Sequence, residues 1–82
     1  MSPDEIKATV LRLLGEIAPE ADLTHLKPAV SFRDQLDIDS MDFLNFIIAV
    51  HQALHVEIPE TDYGQVATLD GCIGYLSSRL HA

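Results

Sequence analysis

Apolar residues return along this chain at intervals of three and four in three separate stretches, and nowhere do they alternate in twos over the length of a strand. The pattern predicts helices and no sheet. In the first stretch Ile6, Val10, Leu13, Leu14 and Ile17 form one stripe, with Ser2 as N-cap, Pro3 at the first helical position and Glu5 closing a capping box. Pro19 ends it. The second stretch predicts a helix from Asp39 or Ser40 to about Leu54, in which Met41, Leu44, Ile47, Ile48 and Leu54 share one side and Phe43, Phe46 and Val50 broaden it. An apolar face so wide calls for more than one covering neighbour. In the third stretch Thr68 caps a helix whose Leu69, Cys72, Ile73, Leu76 and Leu80 recur at three and four.

The connections are less regular. Glu20 to Ile38 contains Pro28 and only isolated apolar residues (Leu23, Leu26, Val30, Phe32, Leu36), which reads as a long loop dropping anchors into the core. A loop of that length in a small domain points to function. "VEIPETDYGQV", with Pro59 and Gly64, supports at most a short helix near Thr61 to Gln65. The expected fold is all-α: a small four-helix bundle of three main helices and one short one, with the long loop between the first and second. With 82 residues in all, 1–82 is expected to form a single domain that buries somewhat more than ~60% of its unfolded surface.

Charge changes the picture by making the surface one-sided. Thirteen acidic against five basic residues give a net charge of −8. No Lys or Arg lies between Arg33 and Arg79, while Asp34, Asp37, Asp39, Asp42, Glu57, Glu60, Asp62 and Asp70 all do. Such a surface argues against nucleic acid and anionic membranes and for basic partners. Cys72 is the one cysteine, so no intramolecular disulfide forms and a reducing compartment is expected. The N-terminus lacks the pattern of a signal peptide, and "FLNFIIAV" is too short to span a bilayer. A cytoplasmic monomer without stable membrane insertion is the expectation.

The candidate chemistry lies in "DIDSMD", residues 37 to 42, where a hydroxyl, Ser40, sits among Asp37, Asp39 and Asp42 at the mouth of the most apolar helix. Three readings are open. Asp39 or Ser40 is simply the N-cap and Asp42 a favourable first-turn charge. Ser40 is a catalytic nucleophile, against which stands the absence of a nucleophile-elbow pattern and of a His in the motif. Or Ser40 is a point of covalent attachment for a phosphate, which the N–H groups and dipole of a helix N-terminus favour. Elsewhere, His51 and His55 lie four apart without a third ligand at a recognisable spacing, so they read as a solvated helix face and no metal site is expected. Cys72 reads as a small core residue.

The stretch "SFRDQLDIDSMD" resembles the modification site of the acyl carrier proteins, with Phe32, Asp34, Leu36, Asp39, Ser40 and Asp42 in place. The likeness continues through "VEIPE" (56 to 60) and "TLDGCIGYL" (68 to 76) and so covers nearly the whole chain. The resemblance implies a non-catalytic carrier. It implies that Ser40 bears 4′-phosphopantetheine, transferred from coenzyme A by a phosphopantetheinyl transferase that recognises Asp39, Met41 and Asp42, and that the arm's thiol holds acyl cargo as a thioester. It also implies acyl-loading and acyl-transferring partner enzymes with basic docking surfaces. Phe43, Leu44, Phe46, Ile47, Tyr63 and Val66 are then candidates to line a pocket for the acyl chain. Two departures stand near the site: Asp37 where the family commonly has Gly, and Met41 where it has Leu. A third is larger. Asn45, His51, Gln52 and Ala53 occupy helix positions at which carriers of fatty-acid synthesis usually display glutamates, which implies a specialised carrier for a dedicated lipid or secondary-metabolite pathway. Aminoacyl (including D-alanyl), peptidyl or polyketide cargo is the alternative within the class. An unmodified helical interaction module, with Ser40 only a cap, is the alternative outside it.

Overall fold

The computed structural model describes Ser2 to Leu80. Its elements run α1 (Pro3–Ile17), a 3-10 turn (Leu23–His25), α2 (Phe32–Leu36), α3 (Ser40–Leu54), a 3-10 helix (Glu60–Val66) and α4 (Leu69–Leu80), with no strand among the described residues. The expected capping box opens α1: Glu5 N–H donates to Ser2 Oγ at 3.2 Å, and Ser2 N–H donates to Glu5 Oε1 at 3.2 Å. Thr68 caps α4 by accepting from Gly71 N–H at 3.0 Å.

The core follows from the three stripes. Ile6, Val10 and Leu14 of α1 meet Phe46 and Val50 of α3 and Cys72 and Leu76 of α4, all fully buried, as α1 packs on both other long helices. Burial of side chains of this size contributes about 1.5–3 kcal/mol each for the larger ones. Among the described residues, no helix is long and apolar enough to cross a membrane.

Within the expected long loop the chain forms a 3-10 turn and the five-residue α2. A helix that short carries no readable period, and tertiary contacts hold it instead. Phe32 is fully buried and meets Phe46 edge to face, with centroids 5.5 Å apart, while its N–H donates to Ala67 O at 2.8 Å. The Gln35 side chain accepts from Lys27 N–H at 2.9 Å and donates to the carbonyls of Lys27 (2.8 Å) and Val30 (2.9 Å). Asp70 N–H donates to Pro28 O at 3.0 Å. The segment is thus strapped to the start of α4. Asp37 ends α2 in the left-handed region at φ 54°, which explains physically why glycine suits that position and why the short polar side chain of aspartate tolerates it.

Two expectations about burial need correction. Val30 is exposed rather than an anchor. On α3, Ile47 and Leu54 are buried, but Met41, Leu44 and Ile48 are 63%, 36% and 44% exposed. The covering elements take Phe43, Phe46, Ile47 and Val50, which leaves the other three as an uncovered ridge at positions i, i+3 and i+7. Periodicity places residues on a face but does not say how much of a broad face finds a neighbour.

The 3-10 helix is tied to α4 by a polar cluster: Tyr75 O–H donates to Asp62 Oδ2 at 2.7 Å, Arg79 Nη2 reaches the same oxygen at 3.4 Å, and its guanidinium lies 4.7 Å from the Tyr75 ring centroid. Backbone approach is closest at Gly71, where an added Cβ would stand 2.4 Å from Gln65 O, whereas one at Gly74 would meet nothing within 4 Å. Gly71→Ala is therefore expected to destabilise by about 1–3 kcal/mol through backbone displacement. Gly74→Ala, an exposed helical position, is expected to stabilise by about 0.5–1 kcal/mol. Urea unfolding of the two variants checks both signs.

Candidate functional site

Asp39, not Ser40, caps α3. Asp42 N–H donates to Asp39 Oδ1 at 2.8 Å, and Asp39 N–H donates to Asp42 Oδ2 at 3.4 Å, forming a reciprocal capping box built from two aspartates. Phe43 N–H then donates to Asp39 O at 3.0 Å, the first helical bond. Ser40 becomes the first helical residue, exposed, and its hydroxyl makes no hydrogen bond among the described residues. Because the cap is supplied by its neighbour, the serine has no capping role to perform.

Two buried side chains fix where that hydroxyl points from. Ile38, immediately before the cap, and Phe43, one turn into α3, are both buried, so the head of the helix cannot swing without exposing one of them. An open groove of about 620 Å³ runs alongside, with Ser40, Met41, Phe43 and Leu44 on one side and Tyr63 and Gly64 of the 3-10 helix on the other. Phe43 and Tyr63 meet edge to face across it, with centroids 6.1 Å apart. Its charged lining residues are Arg33 and Glu60. A second open groove, about 520 Å³, lies further along α3 and takes in Ile47, Ile48, His51, Ile58 and Arg79, with Tyr63 shared between the two.

The expected site residues divide accordingly. Asp39, Met41 and Asp42 surround Ser40 along the chain, Phe43, Leu44 and Tyr63 line the groove next to it, and Ile47 lines the second groove. Phe46 and Val66 are fully buried in the core and line neither. Asn45, His51, Gln52 and Ala53 are all exposed on α3. His51 Nδ1 lies 3.1 Å from Val56 O, and His55 is the left-handed cap at φ 56° that ends the helix; each histidine thus serves the C-terminus of α3. No three His, Cys, Asp or Glu residues group as metal ligands among the described residues. Cys72 is fully buried, and burial pushes its thiol up to about 12, far from reactive. Arg33 was not singled out from the sequence; its one linear signal is that it begins the long interval without Lys or Arg.

A phosphopantetheine group fits these residues. The hydroxyl is exposed and unpartnered, the capping box occupies the N–H groups of Asp39 and Asp42 but leaves those of Ser40 and Met41, and the adjoining groove is lined by both apolar and polar side chains. The comparisons agree. Residues 4–76 match the family described as "Phosphopantetheine attachment site". The acyl carrier protein of Acidothermus cellulolyticus is 26% identical over 80 residues, covering 95% of this chain and 92% of its own length. The mitochondrial acyl carrier protein of Neurospora crassa is 23% identical over 79 residues, covering 96% of this chain, which spans 59% of that longer protein.

Separate roles for the two neighbours lead to separate costs. Asp39→Ala should lose the cap and about 0.5–2 kcal/mol of stability, whereas Ser40→Ala should change stability by no more than a few tenths of that scale, about 0.5 kcal/mol. Denaturant midpoints of the two variants measure the difference; equal losses would return the cap to Ser40.

Proposed function

The chain belongs to the acyl carrier protein family, and we propose that Ser40 is the residue to which its 4′-phosphopantetheine is attached. The observation that carries this reading is the exposed, unpartnered hydroxyl at the first position of α3, beside a groove and freed from capping by Asp39. When bound, the arm supplies a thiol on which acyl groups travel as thioesters. The chain's own residues hold the attachment point, leave it open to a transferase, and present the surface by which partners find it. We read the protein as a carrier that performs no bond-making itself and works in the cytoplasm; the Neurospora relative is named as mitochondrial.

The partner surface supports a dedicated pathway over bulk fatty-acid synthesis. After Asp42, α3 exposes Leu44, Asn45, Ile48, His51, Gln52 and Ala53, with no carboxylate among them. Together with Met41 this gives an apolar ridge running away from Ser40, flanked by Asn45, His51 and Gln52. Enzymes that select carriers through basic patches find no anionic partner on that helix beyond Asp42 in its first turn. Exposed charge pairs contribute about 0.2–1 kcal/mol each, so the absence of several weakens encounter by one or two orders of magnitude.

Co-expression with a broad-specificity phosphopantetheinyl transferase should raise the intact mass by one phosphopantetheine. Ser40→Ala should abolish the rise and leave the helical circular dichroism unchanged; a rise that persists in that variant contradicts the assignment.

The holo protein is expected to be a poor substrate for malonyl loading and ketosynthase turnover by enzymes of bulk fatty-acid synthesis. Asn45→Glu with Gln52→Glu should improve it at low salt, His51 being kept because its ring meets Val56 O at 3.1 Å. Wild-type rates equal to those of a general carrier, with no gain from the added glutamates, would place recognition elsewhere.

A further inference from the structure

The groove beside Ser40 has one basic residue in its lining, Arg33, and the backbone that carries it is anchored, as is that of the serine. At one end, Phe32 is fully buried and its N–H is bonded to Ala67 O at 2.8 Å, which holds the start of α2 against the groove wall formed by Gly64 and Ala67. At the other end, buried Ile38 and the Asp39–Asp42 capping box hold the start of α3. Arg33 is exposed and makes no ion pair among the described residues. Every other charged side chain near the attachment point is an acid: Asp37, Asp39, Asp42 and, in the groove lining, Glu60.

A phosphodiester placed on Ser40 brings a further negative charge into that acidic setting. Left alone it is repelled outward, and the arm with it. A guanidinium is suited to offset this, because its planar donors match phosphate oxygens in pairs and its charge persists at all working pH values. We propose that Arg33 binds the phosphodiester of the arm on Ser40 and so holds the proximal part of the arm in the groove between α3 and the 3-10 helix. Arg33 is thus a positioning residue for the prosthetic group, and its role rests on attachment at Ser40.

The test uses the holo form of the wild type, Arg33→Met and Arg33→Lys, each first verified by intact mass. Two signals are read at low ionic strength: the phosphorus NMR shift of the phosphodiester, and the rate at which the arm's thiol reacts with a neutral maleimide. Cys72 does not compete, since it is fully buried. Arg33→Met should move the phosphorus resonance and speed alkylation about two- to fivefold, the range expected of an exposed ion pair. Arg33→Lys should lie between the two, and added salt should erase the difference by screening it. Loss of a cation near a thiolate would by itself slow alkylation, so the sign distinguishes release of the arm from a change in thiol acidity. An unmoved resonance and equal rates in fully holo proteins overturn the role of Arg33 and leave attachment intact. A wild type that never gains the phosphopantetheine mass overturns the attachment reading, and the role of Arg33 with it.

Discussion

Phe32 and Phe46 meet edge to face at 5.5 Å with both rings fully buried, and the geometry around Ser40 depends on that contact. Phe46 sits in the buried face of α3, which packs against α1. Phe32 comes from the irregular segment between α1 and α3, and by burying it the chain gains a fixed point eight residues before Ser40. Without the contact, the segment from Glu20 to Ile38 would have few apolar anchors of its own to offset the entropy of ordering it, about 1–2 kcal/mol per residue for the backbone. With it, the Gln35 strap and the bonds from Asp70 to Pro28 and from Phe32 to Ala67 fall into place.

From this follows a division of labour along α3. One side, Phe43, Phe46, Ile47, Val50 and Leu54, belongs to the core. The other begins with an exposed hydroxyl and continues as an exposed ridge of Met41, Leu44 and Ile48. The reciprocal Asp39–Asp42 box satisfies the helix terminus with side chains other than the serine, so covalent modification of Ser40 removes no bond on which the helix relies. The acids nearest Ser40 complement the positive end of the helix dipole and make the head of α3 negative.

The long helices were legible because each signal was local: Ser2–Pro3–Glu5 for the start of α1, Pro19 for its end, Thr68 for the start of α4, and stripes at three and four within. The short 3-10 helix at Glu60–Val66 showed itself through Pro59 and Gly64. What stayed hidden depends on partners distant in sequence. α2 exists because Phe32 finds Phe46 and Ala67, which no window of residues reveals. The exposure of Met41, Leu44 and Ile48 reflects how little of a broad apolar face its neighbours cover. At the site, "DIDSMD" alone left Ser40 open as cap, nucleophile or attachment point, and the choice between Asp39 and Ser40 as cap turned on one residue of register. Arg33 entered the groove only through the fold, and Phe46 and Val66 left it for the same reason.

The core holds the head of α3, where we propose the attachment site to be, in place before any arm is present. Amide hydrogen exchange of the apo and holo proteins under identical conditions tests it most directly. Equal protection is expected in both forms for Phe46 to Leu54 and for α1 and α4, with added protection in the holo form confined to the head of α3 and the groove residues of the 3-10 helix. An apo protein in which α3 exchanges freely and becomes protected only on modification would contradict it.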